Sequence, residues 1–307
     1  MNRRRITDLF QIDSSETLGS EVIEIIRLIS PAFQTDSICN VFNSANDLYQ
    51  GNFPGYRACN TGYHDFSHAS AAFLAVARLI HGATLDGSFF SSSDVVAGLA
   101  AAILHDVGYI QEVDDRKGTG AKYKAVHEQR SMEFLSRHGR AFGLSTDEIA
   151  TGRSIILCTD MQKDIASISF ASRQIKFIGK LLAAADLLAQ LSDQLYLEKL
   201  LFLFRECREA GAGLYSTESD MIIKALPFYD VFEDRLKSLT IKTDRYLKLH
   251  FASKSRIDED PYRLAINKHK HYLASILSRK EENPCKHLRR GGIVETVRRQ
   301  SGNQGGE

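Results

Sequence analysis

Long apolar runs are missing from this 307-residue chain. No stretch approaches about 18 residues without a polar interruption, so nothing in it is expected to span a membrane. Charge of one sign is missing too: 39 basic and 38 acidic residues leave a formal net charge of +1. That balance supplies no global attraction to nucleic acid or to an anionic membrane. The cysteines, Cys39, Cys59, Cys158, Cys207 and Cys285, are five in number and include no CxxC pair. Their scatter argues against a thiolate zinc site and a disulfide framework, and for reduced thiols in a cytoplasmic compartment. The opening MNRRRITDLFQIDSSE is basic with no apolar segment behind it, so no secretory signal is expected. Internal repeats and heptads are absent as well.

Proline is scarce, with only five in the chain, and long stretches are rich in Ala, Leu, Ile, Lys and Glu. An all-α protein is therefore expected. Period-two alternation between turn residues is rare, which leaves no sheet of consequence. The spacing predicts helices over 19–29, 36–48, 65–81, 93–106, 122–138, 145–158, 171–190, 194–210, 217–238 and 261–279. Asp36 or Ser37, and the run Ser145-Thr146-Asp147-Glu148, supply start signals. Three regions look irregular: 49–63, rich in Gly and Tyr; 110–121, polar and glycine-containing; and the chain from about Glu281. The expected organisation is an N-terminal segment 1–18, one helical domain over 19–280, and a disordered basic tail 281–307.

Within this frame, AGLAAAILHDVGY (97–109) is a greasy, helix-forming run that ends in two metal-ligand types, His105 and Asp106. A carboxylate at the end of such a helix is costly unless something pairs with it. Adjacent helical residues point about 100° apart, so the two share one ion only if the helix end is aimed at it. The alternative is local capping, with Gly108 as a residue tolerant of positive φ. Upstream, YHDFSHASAAFLAVARLI carries His64 and His68, whose four-residue spacing places both on one helical face. Two core or capping histidines would give the same pattern. Downstream, KLLAAADLLAQLSD carries Asp186 alone in an apolar run. It is either a cation ligand or the start of a polar stripe with Gln190 and Asp193. Together these are five nitrogen or oxygen donors with no thiolate among them. Such a set suits a hard or borderline divalent ion with open positions for water or a phosphate oxygen.

YHDFSH, AAILHDVGY, LCTDM and AAADLLAQLSD, in this order and at these separations, resemble the HD-domain metal-dependent phosphohydrolases. Within that superfamily they are most similar to the cyclic-nucleotide phosphodiesterase catalytic domain. The resemblance covers roughly residues 60–200, about half the chain, and lies in four motifs in register. It implies an HD-type, phosphodiesterase-like helical fold, with His68, His105, Asp106 and Asp186 holding a first divalent metal. It further implies His64 as the group that protonates the leaving oxygen, and Thr159-Asp160-Met161 as a supporting segment. His127-Glu128, in AVHEQRSMEFL, resembles the mid-domain histidine used for a second metal or for phosphate. Lys117 and Lys122 flank the 110–121 loop and are candidates for contact with an anionic substrate.

The chain departs from the phosphodiesterase pattern at Asp65, where that group has Asn, and at Tyr109, where it has a further His. Residues 217–280 show no match to the segment whose glutamine clamps a nucleobase, and no GYP extension follows His105-Asp106. The resemblance thus implies metal-assisted hydrolysis of a small phosphorylated substrate, with a nucleotide among the candidates, without specifying cyclic AMP or cyclic GMP. Two other classes use the same donors: a di-iron oxygenase, and a non-catalytic nucleotide- or metal-sensing module.

Overall fold

The computed structural model describes residues 15–279 and 283–302. Its helices are α1 (Ser15–Ile29), α2 (Asp36–Gln50), α3 (Phe66–Leu85), α4 (Ser92–Leu104), α5 (His127–His138) and α6 (Thr146–Ile156). They continue as α7 (Arg173–Ser192), α8 (Tyr196–Glu209), α9 (Glu218–Leu239), α10 (Thr243–Ser255), α11 (Pro261–Leu277) and α12 (Ile293–Gly302). Among the described residues there is no strand, only one isolated antiparallel bridge between Tyr56 and Glu112. The fold is all-α, and no described helix is long and apolar enough to cross a membrane.

Helix starts follow local chemistry. Ser91 with Asp94, and Ser145 with Glu148, form reciprocal capping boxes at α4 and α6. Three helices then fill the centre. Every residue of α4 from Val95 to Leu104 is buried, as are nearly all of α3 from His68 to Ala83 and of α7 from Ile178 to Ser192. A helix that is apolar all round must be enclosed by others, and α3 is enclosed by α1, α4, α7 and α10. Small residues set the spacing. A Cβ on Gly82 would lie 1.9 Å from the Tyr246 carbonyl oxygen, so α3 and α10 touch backbone to backbone there.

Two elements differ from the sequence expectation. Helix α10 was not anticipated, although Thr243, Tyr246, Leu247, His250 and Phe251 carry the helical period and are all buried. Three of those five are polar or half-polar, which hides the stripe among Lys and Arg. The C-terminal region also differs. Residues 283–302, expected to be part of a disordered tail, form two 3₁₀ turns and α12. Leu288, Ile293, Val294 and Val297 are buried, and the Arg205 guanidinium of α8 donates to the Val297 carbonyl. The physical reason is that four apolar residues, sparse in sequence, fall on one side once the turns form. At the other end, residues 15–18 belong to α1, with Leu18 buried, while 1–14 lie outside the described residues. The rest of the expected tail, 281–282 and 303–307, lies outside them also, as does residue 280.

Between α3 and α10 the Nδ1 atoms of His81 and His250 meet at 3.0 Å, both residues buried. Only one nitrogen can donate, so the other must be neutral. Burial lowers both, with Lys254 adding to the effect on His81; burial and then Arg78 bring His250 to about 2. The unfolded chain binds protons near the ordinary histidine value that the folded pair refuses. Stability is therefore complete above about pH 6.5 and falls as pH drops below it, by up to about 1.4 kcal/mol per pH unit for each such histidine. A His250→Asn variant, which keeps a hydrogen-bonding group at the Nδ1 position, should melt with a shallower pH dependence between pH 7 and 5 than the wild type. An unchanged slope would show that the pair does not govern it. Gly82→Ala should lower the melting temperature by ten degrees or more, since the backbone contact cannot accommodate a methyl group.

Candidate metal centre

Helices α3, α4 and α7 converge at one end, and each brings a donor there. His68 lies in the first turn of α3, whose N-cap Asp65 accepts from the His68 backbone N–H at 2.9 Å. His105 and Asp106 lie just past the last residue of α4, where the chain turns into a 3₁₀ turn over Val107–Tyr109. Asp186 sits in the middle of α7. The predicted helix 93–106 thus stops two residues early, and that stop swings the adjacent His105 and Asp106 toward one point.

The turn after α4 is fixed by α5. Ser131 Oγ donates to the His105 carbonyl at 2.6 Å and accepts from the Gly108 backbone N–H at 2.9 Å. Arg130 Nε donates to the Gly108 carbonyl at 2.7 Å. Gly108 does not need positive φ, as the sequence suggested it would. It needs space: a Cβ there would lie 1.9 Å from the His127 carbonyl oxygen.

The donors meet closely. His68 Nε2 lies 3.2 Å from Asp106 Oδ2 and 3.1 Å from Asp186 Oδ1. His105 Nε2 lies 3.2 Å and 3.7 Å from the same two oxygens. Donors bound to one ion at about 2.1 Å stand about 3.0–3.5 Å apart, a range that three of the four distances meet and the 3.7 Å pair slightly exceeds. His68 Nε2, His105 Nε2 and Asp106 Oδ2 are buried without a hydrogen-bond partner and lie within 4.8 Å of one another. Three orphaned polar atoms sharing one point are costly unless a cation satisfies them. The cluster is able to hold a metal ion, and its chemistry fits one.

Electrostatics agree. Burial alone would push His68 down, but Asp106 and Asp186 overcome it and hold the imidazole up at about 9. His105 is raised in the same way against its own burial. The carboxyls of Asp106 and Asp186 are both held well below the ordinary value, the imidazoles outweighing the effect of burial. With neutral imidazoles the cluster carries two negative charges, which two protons or one divalent cation would balance. The tautomer is suited to the second: His105 Nδ1 donates to the Ala102 carbonyl at 2.8 Å, leaving Nε2 as the lone pair.

Around this cluster lie the other residues singled out from sequence. His127 opens α5; its Nδ1 donates to the Lys124 carbonyl at 2.8 Å, and its Nε2 stands 3.5 Å from Asp106 Oδ1. Burial lowers His127 to about 4, so Nε2 is a free lone pair at neutral pH, while burial raises Glu128 to about 7. His64 does not share the α3 face with His68. It precedes the helix, the two rings meeting edge-on at 6.0 Å, and its Nδ1 donates to Glu206 Oε2 at 2.6 Å. The Tyr109 ring lies against both His64 and His127, with centroids at 4.3 and 4.5 Å. The polar stripe on α7 is real as well: Gln190 Nε2 donates to Asp186 Oδ1 at 2.8 Å, and Tyr63 Oη donates to Gln190 Oε1 at 3.1 Å. Thr159 Oγ1 donates to the Ile156 carbonyl at 2.9 Å, and Met161 is exposed. Lys122 is held by Asp115 at 2.6 Å within its own loop and Lys117 is exposed, so no described contact ties either to the cluster.

Glu206 was not anticipated. It lies on α8, 5% exposed, and binds the Tyr63 backbone N–H at 2.7 Å as well as His64. Glu206 in FLFRECREA, like Glu209 three residues on, looks like any solvated acid on an amphipathic helix. Its burial was not legible locally. No protein-family model matches the chain, and no curated protein matches it.

Replacing Asp106 or Asp186 by Ala should each remove most of the bound metal, measured by mass spectrometry on protein whose circular dichroism is unchanged. His68→Ala should do the same, whereas His127→Ala should leave the first ion in place. Wild-type metal content in both aspartate variants would show that the ion sits elsewhere.

Proposed function

We propose that this chain is a metal-dependent phosphohydrolase of the HD-domain type, hydrolysing a phosphoester of a small substrate. One observation carries the reading: a buried orphaned triad, His68, His105 and Asp106, lies beside a separate His64–Glu206 pair. Donors that hold a cation and an oriented imidazole next to them are the two elements that ester hydrolysis requires. His68, His105, Asp106 and Asp186 would hold the divalent ion. Bound there, it supplies a Lewis acid that acidifies water and offsets charge on the phosphoryl oxygens. The donor set, all nitrogen and oxygen, does not choose among Mg, Mn, Fe and Zn.

The chain's own residues do the rest. Glu206 takes the Nδ1 proton of His64 in a hydrogen bond and so fixes which nitrogen faces the substrate. His64 Nε2 then delivers a proton to the departing oxygen. Tyr109 stacks on the face of the His64 ring. Asp106 presents Oδ2 to the two ligand imidazoles and Oδ1 to His127, an arrangement in which one carboxylate spans two positions. His127, with Nε2 as a lone pair, would accordingly suit a second cation rather than a phosphate oxygen.

Hydrolysis of a panel of phosphoesters with Mn²⁺, Mg²⁺, Fe²⁺ or Zn²⁺ tests the reading, and inertness toward every member with every ion would end it. General acid catalysis is typically worth about 10²–10⁴-fold. His64→Ala should therefore slow an alkyl or nucleoside ester by that order while keeping its metal. The defect should shrink markedly on a nitrophenyl ester, whose leaving group needs little protonation. Glu206→Gln should show the same substrate dependence more mildly. An equal loss on both esters would remove His64 from the role of acid.

A further inference from the structure

Away from the metal centre, the 161–166 loop, α7 and α9 enclose a cleft of about 400 Å³. That volume falls in the range of small-molecule sites, about 300–1,000 Å³. Four cations line it: Lys163 from the loop, Lys176 and Lys180 from α7, and Arg235 from α9. No metal-ligating residue named above takes part.

We propose that this cleft is a second anion site, built to take a multiply charged anion of the diphosphate class. All four cationic residues are half-buried and none is fully solvated. Among the described residues, no carboxylate comes within ion-pair distance of any of them. Lys180 Nζ donates only to Thr240 Oγ1, at 2.9 Å, and Lys176 Nζ lies 6.0 Å over the Phe170 ring. The Arg235 guanidinium donates to the carbonyls of Cys158, Asp160 and Lys163 at 3.3–3.5 Å, while its buried Nε has no partner. The single acid in the lining, Asp164, accepts from the Ala166 backbone N–H at 2.8 Å. Four like charges around one cavity repel, and burial together with Lys176 already lowers the Lys180 ammonium. A multiply charged anion relieves both costs at once. A diphosphate offers more charge and more acceptor oxygens to four cations than a single phosphate does.

The site also has a mechanical consequence. Arg235 holds the carbonyls of the segment that leaves α6, so an anion drawn to it stiffens the connection between α6 and α7. Helix α7 carries Asp186. The proposal does not depend on hydrolysis at the metal centre.

Inorganic diphosphate titrated calorimetrically into the full chain, with metal content checked before and after, tests this. Wild type should bind diphosphate more tightly than phosphate, and the affinity should fall with added salt. Lys176→Gln/Lys180→Gln should weaken binding at least tenfold, and Asp106→Asn should leave it intact. Should the double variant melt early, Lys163→Gln, on the loop, decides in its place with a several-fold loss. Binding lost in Asp106→Asn but kept in the lysine variants would place the anion at the metal centre and overturn the proposal. No binding at millimolar diphosphate, or equal binding of sulfate and chloride, would overturn it too.

Discussion

Two carboxylates and two imidazoles are enclosed where three apolar helices meet, and the centre of this protein depends on how that charge is balanced. Removing ionised groups from water costs several kcal/mol each unless they are paired. His68, His105, Asp106 and Asp186 meet that demand partly by facing one another, yet three of their polar atoms still lack partners. The surrounding architecture makes the enclosure tight. The Ala183–Ala185 run on α7 and the alanines of α4, all buried, admit close helix contact.

Position is then passed outward through a few polar links. Ser131 and Arg130 of α5 grip the turn after α4, and Gly108 lets that turn lie against the start of α5. The same contact brings His127 to Asp106. Next to His127, across Tyr109, Glu206 ties His64 to α8, and α8 is itself in contact with α12. Glu198 of α8, fully buried, is met by Arg290 Nε at 3.0 Å. The C-terminal region therefore supports the helix that orients His64, although it lies far from the metal donors in sequence.

The two charged features differ in how they are built. The metal cluster concentrates opposite charges and leaves atoms unpaired at one point. The cleft beside α9 gathers charges of one sign and spreads them over three elements. The first could hold a cation, the second is the proposed anion site, and α7 contributes to both through Asp186 and through Lys176 and Lys180.

What the sequence determined by itself was local in origin. Helical class, most helix spans and the Ser145–Glu148 cap follow from periodicity and side-chain chemistry within a few residues, and the structure keeps them, whereas Asp36 and Ser37 fall inside α2, whose N-cap is Thr35. The ligand types were legible for the same reason: His and Asp stand out when embedded in Ala and Leu, because burying them is costly. Tertiary structure alone decided the rest. The stop of α4 before His105 and the steric role of Gly108 arise from a contact with α5, about twenty residues on. Glu206 is indistinguishable from a solvated acid until α8 turns it toward a histidine 142 residues away. Helix α10 and the ordered C-terminal region escaped notice because their buried residues are few, and only packing against α3 and α8 gives those few a common face. Periodicity reports that a residue has a side to hide, whereas only the assembled helices define what it is hidden against.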